Sequence, residues 1–252
     1  MSPTPVPVPR TGSALLAALE QLGPRPVLAW YGEASRIELS GHVLANWVIK
    51  AIGHLHDEVA LEEGDVVVLD LPPHWKRLVL ALAAWSLGAD VTVLPRPAEA
   101  DAEAEGAAEA DVASTQAARE EALAQIEDPR VVVTDRPDSD LADSADEVLA
   151  VQPVSLAPRF DGDMPPLVRD WVVEVRGSSD RLGVALPDWS GPASAVGAEA
   201  EASATTRLLV PGDGLEVPER LLGLLLAGGG LVGPAASVSA HQADEEGVTT
   251  RA

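Results

Sequence analysis

Residues 36–95 constrain the fold more than any other part of the chain. Their sequence is RIELSGHVLANWVIKAIGHLHDEVALEEGDVVVLDLPPHWKRLVLALAAWSLGADVTVLP. Behind Ser40 as N-cap, the apolar residues Leu44, Trp47, Val48, Ala51, Ile52, Leu55 and Val59 recur at helical spacing. Gly64-Asp65 then opens Val66-Val67-Val68-Leu69, a continuous apolar run of the kind covered on both faces. A second helix is predicted from about Trp75 to Leu87, closed by Gly88, and 90–94 is the next strand. Two strands joined by one helix in this order are parallel, with a right-handed crossover. The expected class is therefore α/β, a largely parallel sheet flanked by helices. Pro72-Pro73 stops the first strand and leaves Asp70 and His74 at its carboxyl end, where such sheets carry ligands.

Composition narrows the partners. Aromatic residues make up 3% of the chain against 46% hydrophobic overall, so the core is built from Val, Leu and Ala. Cysteine is absent, which removes disulfides, thiolate nucleophiles and thiolate metal sites. Forty acidic residues against 17 basic ones give a net charge of -23, and Lys50 and Lys76 are the only lysines. A surface this acidic repels nucleic acid and anionic membranes, and repels ATP unless a local cationic site compensates. With no long apolar run and no secretory pattern at the start, the expectation is a cytoplasmic protein without nucleic-acid, membrane or metal partners.

The remainder reads as one domain over 11–252 behind a flexible proline-rich lead-in, 1–10, with a low-complexity acidic insertion at about 98–111. Thr11 or Ser13 can cap a helix ending at Leu22, and 27–30 with 36–39 suggest a β-hairpin. Further on, 114–126 reads as a helix, 131–133 as a strand, and 144–151 as a short helix passing into a strand. Residues 167–175 fit either a helix or an edge strand. Residues 182–186 and 207–210 read as strands, and Pro218 opens a last helix to Ala227 before Leu231-Val232.

Candidate chemistry is sparse. His54 and His56, two apart on a helix, cannot readily share an ion and read as exposed residues near its C-terminus. His74 reads first as a capping or surface residue, Asp70 as a strand-end carboxylate, and Asp161-Gly162-Asp163 as a plain loop with too few oxygen ligands for calcium. Pro211-Gly212-Asp213-Gly214 lies between a strand and a helix, so Gly212 and Gly214 have the context of an anion loop. Asp213 and Glu216 oppose that use. The weak binding candidates are thus His74, Asp70, Gly212 and Gly214, with no catalytic residue and no metal site assigned.

The pieces IELSGHVLANWVIKAIGHL, EEGDVVVLDLP and LVLALAAWSLGADVTVLP resemble, in order and spacing, the opening of the adenylate-forming superfamily of acyl-CoA synthetases and related AMP-binding ligases. A weaker likeness continues through PRVVVTD and ERLLGLLLAGGGLVGP. The resemblance implies the first half of the large N-terminal domain of those ligases, and ATP or AMP as a ligand. It also implies a Ser/Thr/Gly-rich phosphate loop with a lysine between about 184 and 215, where this chain has no lysine. The later ribose-binding and C-terminal lysine motifs have no counterpart before Ala252. The expectation is a degenerate, non-catalytic relative acting by ligand or protein binding. The alternatives are a ligase completed by a partner chain and a scaffold without ligand. A partly built sheet also suggests a homodimer or a protein partner.

Overall fold

In the computed structural model, residues 10–32, 35–96, 107–192 and 203–252 are described. The proline-rich lead-in up to residue 9 and the acidic insertion over 98–106 lie outside them.

Helix α1 (Gly12–Leu22) follows Thr11, whose side chain makes no capping bond. Strands β1 (Pro26–Gly32) and β2 (Ser35–Ser40) form the antiparallel hairpin that the sequence suggests. In α2 (Gly41–Asp57), the Ser40 hydroxyl accepts from the Val43 N–H, which fixes the helix start. There follow β3 (Val66–Asp70), α3 (Trp75–Ser86), β4 (Asp90–Val93), α4 (Ala107–Leu123), β5 (Val131–Thr134), α5 (Asp140–Asp143) and β6 (Glu147–Ala150). The ambiguous stretch 167–175 holds both elements in turn, β7 (Arg169–Asp170) and α6 (Trp171–Val175). The chain ends through β8 (Arg207–Leu209), α7 (Pro218–Leu226), β9 (Gly230–Gly233), α8 (Ala240–Glu245) and β10 (Thr250–Arg251).

The strands divide into two five-stranded sheets, ordered β10-β8-β9-β1-β2 and β4-β3-β5-β6-β7. Apart from the β1–β2 hairpin, every ladder is parallel. The hairpin explains the split. It draws β9 and then β8 from the far end of the sequence onto β1, while β3 to β7 pair among themselves. The predicted strand at 182–186 is absent: those residues run without ladder bonds between α6 and the isolated Asp188–Thr11 bridge.

Helix α3 explains how the sheets share a core. All twelve of its residues are buried, as expected of a helix that is apolar nearly all round. One continuous cluster joins Leu15 and Leu19 of α1, Leu44, Val48 and Ile52 of α2, and Leu78 and Leu82 of α3 to Val67, Leu69, Val131 and Val133 of the second sheet and to Leu28 and Leu231 of the first. Trp47 meets Trp75 edge-on at 5.2 Å and lies 6.2 Å from Trp171, tying α2, α3 and α6 together. On the other face of the second sheet, Val68 and Val132 pack with Ala122, Leu123 and Ile126 at the end of α4. That sheet is therefore wound on both faces. His54, read from sequence as exposed, is fully buried instead: α6 covers it, and its Nε2 lies 2.9 Å from Glu174 Oε2.

Candidate functional site

Two polar clusters are built at the carboxyl ends of the parallel strands, one in each sheet. The first gathers where α3 meets the loop after β8. Pro72-Pro73 turn the chain out of β3, and His74 begins α3 with its Nδ1 accepting from the Lys76 N–H at 3.1 Å. Because Nδ1 accepts, the neutral ring carries its proton on Nε2, which faces Ser155 Oγ at 3.3 Å. His74 therefore donates to that hydroxyl and is in the wrong tautomer to activate it as a nucleophile. The ammonium of Lys76 is directed at the carbonyls of Gln152 and Val154, 2.8 and 2.7 Å away.

One turn further along α3, Arg77 closes this cluster. Its Nε and Nη2 donate to both oxygens of Asp213, at 2.7 and 2.9 Å, and Nη2 also reaches Glu216 Oε1 at 3.2 Å. Asp213 is fully buried and accepts as well from the His74 and Leu215 backbone N–H groups. Burial, and then the neighbouring Asp213 charge, push the Glu216 carboxyl above its ordinary range. Gly214 has φ +91°, a left-handed conformation that suits glycine. A side chain at Gly212 would run into the Glu216 carboxylate and, at 2.9 Å, into Pro73. The loop is thus packed against the prolines and presents acceptors. The Gly212 and Gly214 positions serve its closure.

The second cluster surrounds Asp70, the fully buried last residue of β3. Arg119 of α4 grips it with both Nη atoms at 2.6 and 2.9 Å, Arg136 reaches it with Nη2 at 3.0 Å, and Arg96 lies 3.5 Å away. Arg96 in turn donates through Nη2 to both oxygens of Asp135, each at 2.9 Å. Burial pushes the Asp70 carboxyl up, but the three guanidiniums, Arg119 first, outweigh it and hold it below its ordinary range. At Asp135 burial wins over Arg96 and Arg136, and the carboxyl is pushed up.

Asp70 and His74 were both legible as strand-end positions, yet they point into different clusters. The sequence reading missed Arg77, Arg96, Arg119 and Arg136. Two signals were available. Lys76 and Arg77 stand in an otherwise apolar helix, which requires buried partners. Arg96 and Arg136 each lie just beyond the carboxyl end of a parallel strand. A further polar cavity of about 410 Å³ lies between α8 and the glycine turn at 228–230. It is lined by Arg25, Arg36 and Arg207 against Glu38, Glu245 and Glu246. Among the described residues no group of three His, Asp or Glu side chains is placed to hold a metal ion, and no helix is long and apolar enough to cross a membrane.

Comparison with known proteins places this architecture. An acyl-CoA synthetase of Brucella canis superposes over 100% of this chain and 48% of its own length, with a TM-score of 0.61 and 18% identity. MbtA of Mycobacterium smegmatis matches over 95% of this chain and 47% of its own, with a TM-score of 0.63 and 17% identity. The N-terminal subdomain of Klebsiella oxytoca NpsA, solved with 3-hydroxybenzoyl-AMSN, matches over 100% and 61%, with a TM-score of 0.55 and 12% identity. The fold is that of the N-terminal part of acyl-CoA synthetases and adenylating domains, and the chain spans about half the length of those full proteins. In sequence, a Mycobacterium tuberculosis protein described only by a numbered family is 36% identical over 102 residues, which are 39% of this chain and 41% of that one. No protein-family model matches the chain.

Proposed function

We propose that this chain uses the fold of the adenylating enzymes for binding, without forming an adenylate itself. One observation carries the reading: the cation nearest the loop after β8 is already consumed. Arg77 is held by both oxygens of Asp213 and by Glu216, inside a cluster that is buried and rich in acceptors. Between 184 and 215 the chain has one basic residue, Arg207, and it is turned onto Glu246 at 2.9 Å. A nucleotide triphosphate in this loop would meet carboxylates. Carboxylate adenylation requires donors and cations aimed at the α-phosphate, and removing one such donor costs about 3–4 kcal/mol of transition-state stabilisation. These residues do not fit ATP.

The test is ATP–pyrophosphate exchange by the purified protein with a panel of carboxylic acids. Exchange at the background rate supports the reading, and carboxylate-dependent exchange overturns it. A second reading, an adenylate-forming ligase active only with a partner chain, draws on the fold shared with the Brucella acyl-CoA synthetase. That reading expects exchange to appear when a partner chain is added.

A further inference from the structure

We propose that the carboxyl end of the second sheet is a binding site for a phosphate-type oxyanion, built from Arg96, Arg119 and Arg136 and buttressed by Asp70 and Asp135. This goes beyond the reading above and is independent of it, since a binding site here requires no adenylation chemistry.

Topology supplies the first support. Taken in chain order, the strands β3, β4, β5, β6 and β7 lie across the sheet as second, first, third, fourth and fifth. The chain moves from β3 to one side through β4 and then crosses to the other side through β5. Helices α3 and α4 therefore leave on opposite faces, and the packing agrees, with Val67 and Val131 facing α3 and Val68 and Val132 facing the end of α4. In such a sheet the crevice opens beyond the carboxyl ends of the strands where the direction reverses, here β3 and β5, and ligands bind there. Asp70 ends β3, while Asp135 and Arg136 directly follow β5. The cluster sits at that point.

Charge supplies the second. Among the described residues three guanidiniums face two carboxylates, leaving one net positive charge in a chain whose overall charge is -23. Three of only 17 basic residues are spent at one place. Satisfying Asp70 does not require them all, because Arg119 alone engages both of its oxygens. The carboxylates also orient the donors. Arg119 is held as a fork by Asp70 and Arg96 by one nitrogen shared between both oxygens of Asp135, with side chains 13% and 14% exposed, whereas Arg136 uses one N–H on Asp70 and stays 49% exposed. A guanidinium carries more N–H donors than these bonds use, in a planar array that matches an oxyanion. Carboxylates that fix arginines in this way make a preorganised anion site.

Thermal unfolding at constant ionic strength, with inorganic phosphate replacing chloride, tests the proposal. A saturable rise in Tm is expected, because a ligand that binds the native state stabilises it by mass action. Ribose 5-phosphate should reproduce the rise and ribose should not, which separates the phosphate group from its carrier. In Arg136→Gln the phosphate affinity should fall about tenfold, roughly 1.4 kcal/mol, with a cooperative melt retained in chloride. Arg136→Lys, which keeps the charge but loses the fork, should fall between the two. Absence of a saturable shift in the parent protein overturns the proposal. So does an unchanged phosphate response in either variant. Because no step of this test involves pyrophosphate exchange, the two readings fail separately.

Discussion

Removing the Asp213 carboxylate should be among the most destabilising single changes in the protein. In Asp213→Ala the Arg77 guanidinium, 3% exposed, loses two charge-assisted bonds at 2.7 and 2.9 Å. The His74 and Leu215 N–H groups lose their acceptor as well. Arg77 keeps the Leu71 carbonyl at 3.1 Å and Glu216 at 3.2 Å, and Glu216 is a third exposed. Breaking a buried pair by deleting one partner costs about 3–5 kcal/mol, because the other charge stays buried. Partial compensation by Glu216 puts the expected loss near the lower figure, about 3 kcal/mol. With an m-value of about 3 kcal/mol/M, the urea midpoint should fall by about 1 M. The double change Arg77→Met with Asp213→Leu removes the unpaired buried charge but still leaves the His74 and Leu215 N–H groups without their acceptor, so it should recover part of the loss and not all of it. A loss in Asp213→Ala below about 1 kcal/mol, the value of a surface pair, would refute the claim that this bridge is a buried lock between α3 and the loop after β8.

Two further outcomes are expected. Gly212→Ala should cost about 1–3 kcal/mol by overpacking against Pro73 and the Glu216 carboxylate; a urea midpoint equal to the parent's would show that the loop has room. Asp70→Asn should lower stability at neutral pH, with the gap to the parent closing as pH falls. A carboxyl held below its ordinary range contributes stability above that range and loses it on protonation. Asp135 and Glu216, both pushed up, work in the opposite sense, their contribution being lost as pH rises through their folded values. Urea midpoints between about pH 3 and pH 7 should therefore converge at the acid end, and a constant gap would contradict the role given to Asp70.

The fold was legible where one-dimensional patterns determine it. The stripe from Leu44 to Leu55 fixes α2, and the continuous run at Val66 to Leu69 fixes a strand covered on both faces. What periodicity does not carry is which strands pair. The division into two sheets follows from β8 and β9 joining β1 across nearly the whole chain, and no local signal encodes that. The strand expected at 182–186 failed for the same reason: its apolar residues, with Val184 and Leu186 packed on the core, cover other elements and have no ladder partner. His54 was misjudged because its burial depends on α6, more than a hundred residues away. Of the candidate site, the strand-end positions Asp70 and His74 could be found from sequence. The arginines that give Asp70 its chemistry come from three other segments and meet it only in the folded chain.

The most direct measurement of the proposed function is a single-turnover experiment. Protein in excess is mixed with ATP labelled at the α-phosphate, magnesium and a panel of carboxylic acids, then quenched and resolved for acyl-adenylate and AMP. The expected result is label remaining in ATP at the level of the protein-free control for every acid. Label passing into an acyl-adenylate with any of them would contradict the reading that Arg77, Asp213 and Glu216 have closed this loop to adenylation.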